Sequence, residues 1–291
     1  MRQGQKNTNI RDFIQLTKPR LSALNVIAAW FGVLMSDKVL SWESHLWFLV
    51  TITLVIMGSG AINCVLESGL DLKMSRTKTR PLPDGRMKQS TALTFGLILI
   101  SLGALGLYFK VNPFSSVISL VSAVLYIFAY TPMKLKTAFA VYVGAIPGAL
   151  PPLIGQVAAD GHISLMGWLL FGFLFFWQIP HFIAISIYSR KDYQAAGIQV
   201  YPNTHGMKAS YYMIVATTCF MVFMSILPYF YQLVSLVYMI VALLLGLCFV
   251  FVTLKGIKTL GNITNENSWA KRCFFASILY LPLILCLMFI L

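Results

Sequence analysis

An all-α, polytopic integral membrane protein is the fold class this sequence predicts. Three observations carry that reading: a composition too apolar for water, apolar runs of bilayer length, and basic residues confined to alternate connections. Of 291 residues, 58% are hydrophobic and 11% charged, with a mean hydropathy of +0.77, whereas soluble domains carry about 25% charged residues. A bilayer core takes about 20 apolar residues per helix, and lipid offers the backbone no hydrogen-bond partner. The runs predict nine helical spans, near 21–36, 46–67, 91–109, 114–130, 138–157, 163–187, 209–231, 233–254 and 273–291, in one transmembrane domain over 1–291.

Taken in order, the first span follows a polar stretch of about twenty residues and lacks a small-x-small exit, so it reads as a retained helix and not a cleavable signal. Span 2 runs into a charged stretch, Asn63 to Pro83. Span 5 carries Gly144, Pro147, Gly148, Pro151, Pro152 and Gly155, which suit close helix approach and bending, either for packing alone or around a cavity. Span 6 holds Pro180, which cannot donate to the carbonyl four residues back and predicts a kink. Spans 7 to 9 are read from hydropathy alone. The long connections after spans 2 and 6 lie four helices apart, suggesting two four-helix halves plus one helix.

With the N-terminus inside, 20 of the 22 Lys and Arg fall on the inner side and only Lys38 and Lys110 outside. The positive-inside rule then predicts a cytoplasmic N-terminus and an outer C-terminus, as in a bacterial inner membrane. The net charge of +13 follows mostly from topology, with attraction to anionic headgroups of the bilayer as a second effect; it is no argument for nucleic acid. The cysteines at 64, 219, 248, 273 and 286 form no CxxC pair, so neither a disulfide framework nor a zinc site is indicated. The inner connections 68–90, 188–208 and 255–272 are the long ones, which places the expected chemistry at the cytoplasmic face.

Three stretches gather reactive groups there. In "NCVLESGLDLKMSRTKTRPLP", Asn63, Glu67 and Asp71 stand at i, i+4 and i+8, one face of a helix. Three oxygen donors on one stripe suit a hard cation such as Mg²⁺, which takes one or two carboxylates and fills its remaining positions with water and phosphate. Arg76, Lys78 and Arg80 follow as phosphate clamps. The plain alternative is a solvated helix end, with Glu67 and Asp71 simply pairing with Lys73 and Arg76; against it, the chain has only nine acidic residues, and ionisable groups at membrane depth are costly. In "FWQIPHFIAISIYSRKDYQAAGIQVYP", Trp177, Gln178 and His181 share a stripe, and Arg190, Lys191 and Asp192 cap the inner edge. Asp192 could be a second metal ligand opposite Asp71. His181 reads equally as a histidine bonded across the bundle or as a contact to an aromatic or haem substrate, and Trp177 as packing or a binding face. In "YTPMKLKT", Tyr130, Thr131, Lys134 and Lys136 bring span 4 to the same side.

Together the runs "LTKPR" (16–20), "NCVLESGLDLKMSRTKTRPL" (63–82), "YTPMKLKT" (130–137), "GAIPGALPPLIG" (144–155), "WQIPHF" (177–182) and "KDYQAAGI" (191–198) resemble the protoheme IX farnesyltransferases of the UbiA-type intramembrane prenyltransferases. The resemblance implies a nine-helix bundle around a central cavity in which Mg²⁺ bridges carboxylates and a prenyl diphosphate. It implies a metal set of Asn63, Glu67, Asp71 and Asp192, and phosphate or propionate contacts from Arg76, Arg80, Lys134, Lys136 and Lys191. Tyr130 and Trp177 would face a farnesyl cation, and His181 the haem. The substrates it implies are farnesyl diphosphate and haem B, joined with addition of water to give haem O; its partners would be proteins of the haem pathway or of oxidase assembly. Two positions depart from the wider superfamily: Glu67 replaces the usual Asp, and Ala196 replaces the last Asp of the second motif. A prenyltransferase acting on a quinone precursor shares the first motif, though the WQIPHF run argues against it. A CDP-alcohol phosphotransferase lacks its DGxxAR signature here, and a transporter would place charge near the midplane.

Overall fold

A computed structural model of the protein describes residues 8–75 and 77–291, and the regular structure among them is entirely helical. The apolar helices are α1 (Pro19–Leu34), α2 (Trp42–Asp71), α3 (Gln89–Lys110), α4 (Pro113–Val124), α5 (Ala140–Asp160), α6 (Leu165–Tyr188), α7 (Gly206–Phe230), α8 (Leu236–Leu254) and α9 (Ile263–Ile290). Among the described residues, eight helices are long and apolar enough to cross a bilayer, with α1 a shorter apolar helix of 16 residues. The protein is an integral membrane helical bundle.

Local chemistry sets the helix ends. Ser41, Asn112, Ser164, Ser235 and Asn262 each accept from a backbone N–H in the first turn of α2, α4, α6, α8 and α9, satisfying donors that have no partner inside the helix. At 1.5 Å per residue the 30 residues of α2 span about 45 Å, longer than a hydrocarbon core of about 30 Å. Its last turns can therefore carry Glu67 and Asp71 out to the membrane boundary without a break in the helix.

Several boundaries differ from the hydropathy reading. Helix α9 begins at Ile263, capped by Asn262, so the inner connection expected over 255–272 is only the 3₁₀ turn Lys255–Thr259 and a short link. Hydropathy missed those turns because they are polar on one side, with Glu266 and Trp269 buried. Span 4 ends as a π-helix, Leu125–Tyr130, followed by a single turn Thr131–Met133. Both the N–H and the Oγ1 of Thr131 donate to the Tyr126 carbonyl, while Pro132, the next residue, has no N–H to continue an α pattern. Helix α6 runs through Pro180 without interruption. In α5, Pro151 frees the Pro147 carbonyl, which accepts instead from Ser122 Oγ of α4 at 3.3 Å.

Helix α1 packs on α2 and α5, α2 on α3, α3 on α4, and α4 on α5; α6 packs on α7 and α9, and α8 on both α7 and α9. The contacts thus group five helices and four, with α5 and α6 packed together as the joint, where the loop spacing suggests two fours plus one. Helix α5 joins the first group because its small residues let α1 approach: a Cβ at Gly155 would fall 1.7 Å from the Ala29 carbonyl oxygen, and one at Gly32 would fall 1.8 Å from that of Pro152. Val33, Phe48, Ile52, Leu107 and Leu153 fill the first core, and Leu170, Phe173, Met221, Tyr238 and Ile284 the second.

The N-terminal segment, the loops after α2, α4 and α6 and the first turn of α9 are tied to one another. Gln199 N–H donates to the Lys134 carbonyl at 2.8 Å, Arg190 pairs with Glu266 at 2.8 Å, and Arg86 pairs with Asp12 at 2.8 Å. Met74 packs with Ala196 and Ile198, joining the loop after α2 to the loop after α6.

Candidate active site

Helix α2 delivers Asn63, Glu67 and Asp71 on one face, all three buried. The Asn63 amide is held on both sides. Its Oδ1 accepts from Lys18 Nζ, and its Nδ2 donates to Glu67 Oε1 at 2.6 Å and to Thr131 Oγ1 at 2.8 Å. Thr131 can accept that bond because its own proton goes to the Tyr126 carbonyl at 2.8 Å. Glu67 Oε1 also accepts from Lys134 Nζ at 2.5 Å. One turn on, both carboxylate oxygens of Asp71 accept from Arg80, at 3.0 and 2.8 Å. The turn that returns Arg80 to Asp71 is fixed by Thr77, whose hydroxyl donates to the Asp71 carbonyl at 3.1 Å.

Three acceptor side chains are therefore each matched by a cation, from three different segments. Lys18 was not foreseen as a member. It precedes Pro19 in a left-handed backbone conformation, φ 49°, rare for a residue with a side chain, and that turn sends its ammonium to Asn63 and, at 3.5 Å, to Tyr126 Oη. Burial works against its charge, but the Tyr126 phenol and the Glu67 carboxylate outweigh it and hold the ammonium above the ordinary lysine range. Burial also opposes the charge of Arg80, and Asp71 reverses that, raising the guanidinium above its usual value.

Of the other expected site residues, Tyr130 stacks on Tyr126, with ring centres 5.8 Å apart, beside this cluster. Asp192, in the short helix Arg190–Ala195, accepts from Ser75 Oγ at 2.8 Å, so the two loops meet there. Lys136 and Lys191 are exposed. Arg76 lies outside the described residues. Trp177 and His181 form a separate group against α9: Trp177 Nε1 donates to the Ser277 carbonyl at 2.8 Å, the imidazole lies 2.7 Å from Ser277 Oγ, and the two rings stack at 4.9 Å. Gln178, expected on their stripe, turns to α5 and donates to the Ala145 carbonyl. Ala196 is buried against Met74 and Ile198, a place where a carboxylate would be costly to desolvate.

The donor set suits a hard divalent cation, since every acceptor is oxygen. Among the described residues no three His, Cys, Asp or Glu side chains converge on one point. An ion here would accordingly take one or two carboxylates and bring its remaining ligands with it, as Mg²⁺ does.

An intramembrane helical bundle that gathers acid oxygens and matching Lys and Arg groups at one end has the form of a membrane enzyme working on a lipid with an anionic head. Residues 25–279 match the model of the UbiA prenyltransferase family. A protoheme IX farnesyltransferase of Myxococcus xanthus (strain DK1622) is 36% identical over 271 residues, covering 93% of this chain and 90% of the relative. Two solved structures share the fold. One, from work on digeranylgeranylglyceryl phosphate synthase in membranes, has a TM-score of 0.81 at 18% identity, with 97% of both chains covered. The other, a UbiA homologue from Archaeoglobus fulgidus bound to DMAPP and Mg²⁺, has a TM-score of 0.69 at 14% identity, covering 96% of this chain and all of its own (100%). The chain belongs to the UbiA prenyltransferase family, in the group of the protoheme IX farnesyltransferases.

Proposed function

We propose that the protein transfers the farnesyl group of farnesyl diphosphate to a vinyl group of haem B, with addition of water, to give haem O. The observation that carries this reading is the linked set Lys18–Asn63–Glu67–Lys134 beside the Asp71–Arg80 pair, in a chain whose relatives are named for that reaction. Asn63, Glu67, Asp71 and, across the loops, Asp192 would supply the ligands for Mg²⁺, with one or two of the carboxylates to each ion. The ion supplies charge neutralisation for the leaving diphosphate.

The chain's own cations do the rest at that end. Lys134 and Arg80 sit on the acid oxygens of Glu67 and Asp71, and Lys18 on the amide oxygen of Asn63; all three would turn to the phosphate oxygens of a bound diphosphate. Lys136, two residues after Lys134, and Lys191, next to Asp192 in the loop after α6, would extend the anion site, as would Arg76, which lies in sequence between Asp71 and Arg80. As the farnesyl C1–O bond breaks, its electron pair leaves with the diphosphate, and these preorganised charges stabilise it in a site shielded from water. Tyr130 presents a π face to the cation at C1, and Trp177 does so from the haem side. The vinyl π pair forms the new C–C bond, water captures the cation left beside the porphyrin, and that water gives up a proton. His181, on α6 beside Trp177, contacts the haem.

The 20 to 2 distribution of Lys and Arg supports an inner-membrane protein with N-terminus and active site cytoplasmic and C-terminus outside. The packing of α5 on α6 supports one functional domain over 1–291. The product would pass to haem-pathway or oxidase-assembly proteins. The test offers purified protein farnesyl diphosphate, Mg²⁺ and either haem B or a panel of aromatic acids that are quinone precursors, and separates the products by chromatography. A more hydrophobic haem is expected; prenylation of the acids with haem unchanged contradicts the reading.

A further inference from the structure

The group around Ser277 contains information about a proton. A serine hydroxyl has one hydrogen to donate. Ser277 Oγ lies 2.6 Å from the Phe274 carbonyl oxygen and 2.7 Å from His181 Nδ1. The carbonyl has no hydrogen to give, and two oxygens at 2.6 Å with none between them would oppose lone pair to lone pair. The Ser277 proton therefore lies on the bond to Phe274, and the bond to His181 is donated by Nδ1–H. A neutral imidazole has one N–H, so the lone pair is on Nε2.

The ring is held in that pose. Trp177 stacks on it at 4.9 Å and is itself tied to α9 through the Ser277 carbonyl, while the Phe274 ring also lies 4.9 Å away. Among the described residues Nε2 makes no hydrogen bond, and the imidazole is only half-buried. A histidine that donates through one nitrogen and keeps the other for a metal is how proteins orient imidazole ligands.

We propose that Ser277 is a positioning residue: its hydroxyl holds His181 Nδ1 protonated and reserves the Nε2 lone pair for the iron of a metalloporphyrin acceptor. The iron assignment rests on the haem reading of His181 given above, whereas the tautomer rests on geometry alone.

Nitrogen NMR of the whole protein labelled with [¹⁵N]histidine separates the two. The chain has four histidines, and the His181 signals are those lost in His181→Ala. The wild type should show the Nδ1–H form, Ser277→Thr should keep it, and Ser277→Ala should move it toward Nε2–H. With haem B added, Ser277→Ala should weaken binding about 10–100-fold, as loss of an outer-shell partner does, and alter the absorption spectrum. Affinity for farnesyl diphosphate, measured on the same samples, should stay unchanged and reports that the variants fold. Nε2–H in the wild type, or a tautomer unmoved in Ser277→Ala, overturns the role of Ser277. The expected tautomers with haem affinity and spectrum unmoved in both Ser277→Ala and His181→Ala overturn the iron assignment and the haem reading of His181 together.

Discussion

Glu67 shows how much one residue's surroundings decide. Its carboxylate is buried and accepts from both Asn63 and Lys134, so neither a solvated helix end nor pairing with the nearby Lys73 describes it. If its longer arm reaches the same ion that an aspartate would, Glu67→Asp keeps part of the turnover, while Glu67→Gln loses about 10²-fold or more through the missing charge. Steady-state rates of the two variants check this, and equal near-normal rates would leave Glu67 a structural ion-pair partner. The stripe Asn63, Glu67, Asp71 was legible because i, i+4, i+8 spacing survives any helix packing. Lys18 was not, although it lies in the basic LTKPR run, because its reach depends on a left-handed turn that no side-chain pattern announces. Ser277 was hidden for a different reason: a lone serine in an apolar span has no periodicity of its own.

At the scale of helices, length and hydropathy located the spans, but ends and pairings depend on chemistry that hydropathy averages away. The first turns of α9 and the π turn of α4 are examples, one concealed by its amphipathic face and the other produced by Thr131 and Pro132. The small residues of α5 admit either packing or a bend, and at Gly155 they serve the contact with α1. Gly155→Ala sets a methyl 1.7 Å from a backbone oxygen of α1, so the helices must part; overpacking of this kind costs about 1–3 kcal/mol or more. Gly69→Ala, where a Cβ meets nothing within 4 Å, gains helix propensity instead, about 0.5–1 kcal/mol. Thermal unfolding in detergent should rank Gly155→Ala below the wild type and Gly69→Ala at or above it.

For the molecule as a whole, charge and site point to the same end. The ties among the N-terminal segment, the loop after α2, the turn after α4 and the loop after α6 collect Lys18, Glu67, Asp71, Lys134 and Asp192 on one side of the bundle, where a transporter would carry its charges at mid-depth. In a cysteine-free background, a single cysteine at 136 should be protected from an impermeant thiol reagent in intact cells and one at 38 labelled; the reverse pattern would turn the site outward. The most direct test of the account is haem turnover by Asp71→Asn, a change that keeps the side chain's size and removes the charge held by Arg80. Purified, folded Asp71→Asn protein with haem B, farnesyl diphosphate and Mg²⁺ should form no more hydrophobic haem while the wild type forms it readily. Wild-type turnover by that variant would contradict the assignment of the α2 carboxylates to the metal-diphosphate site.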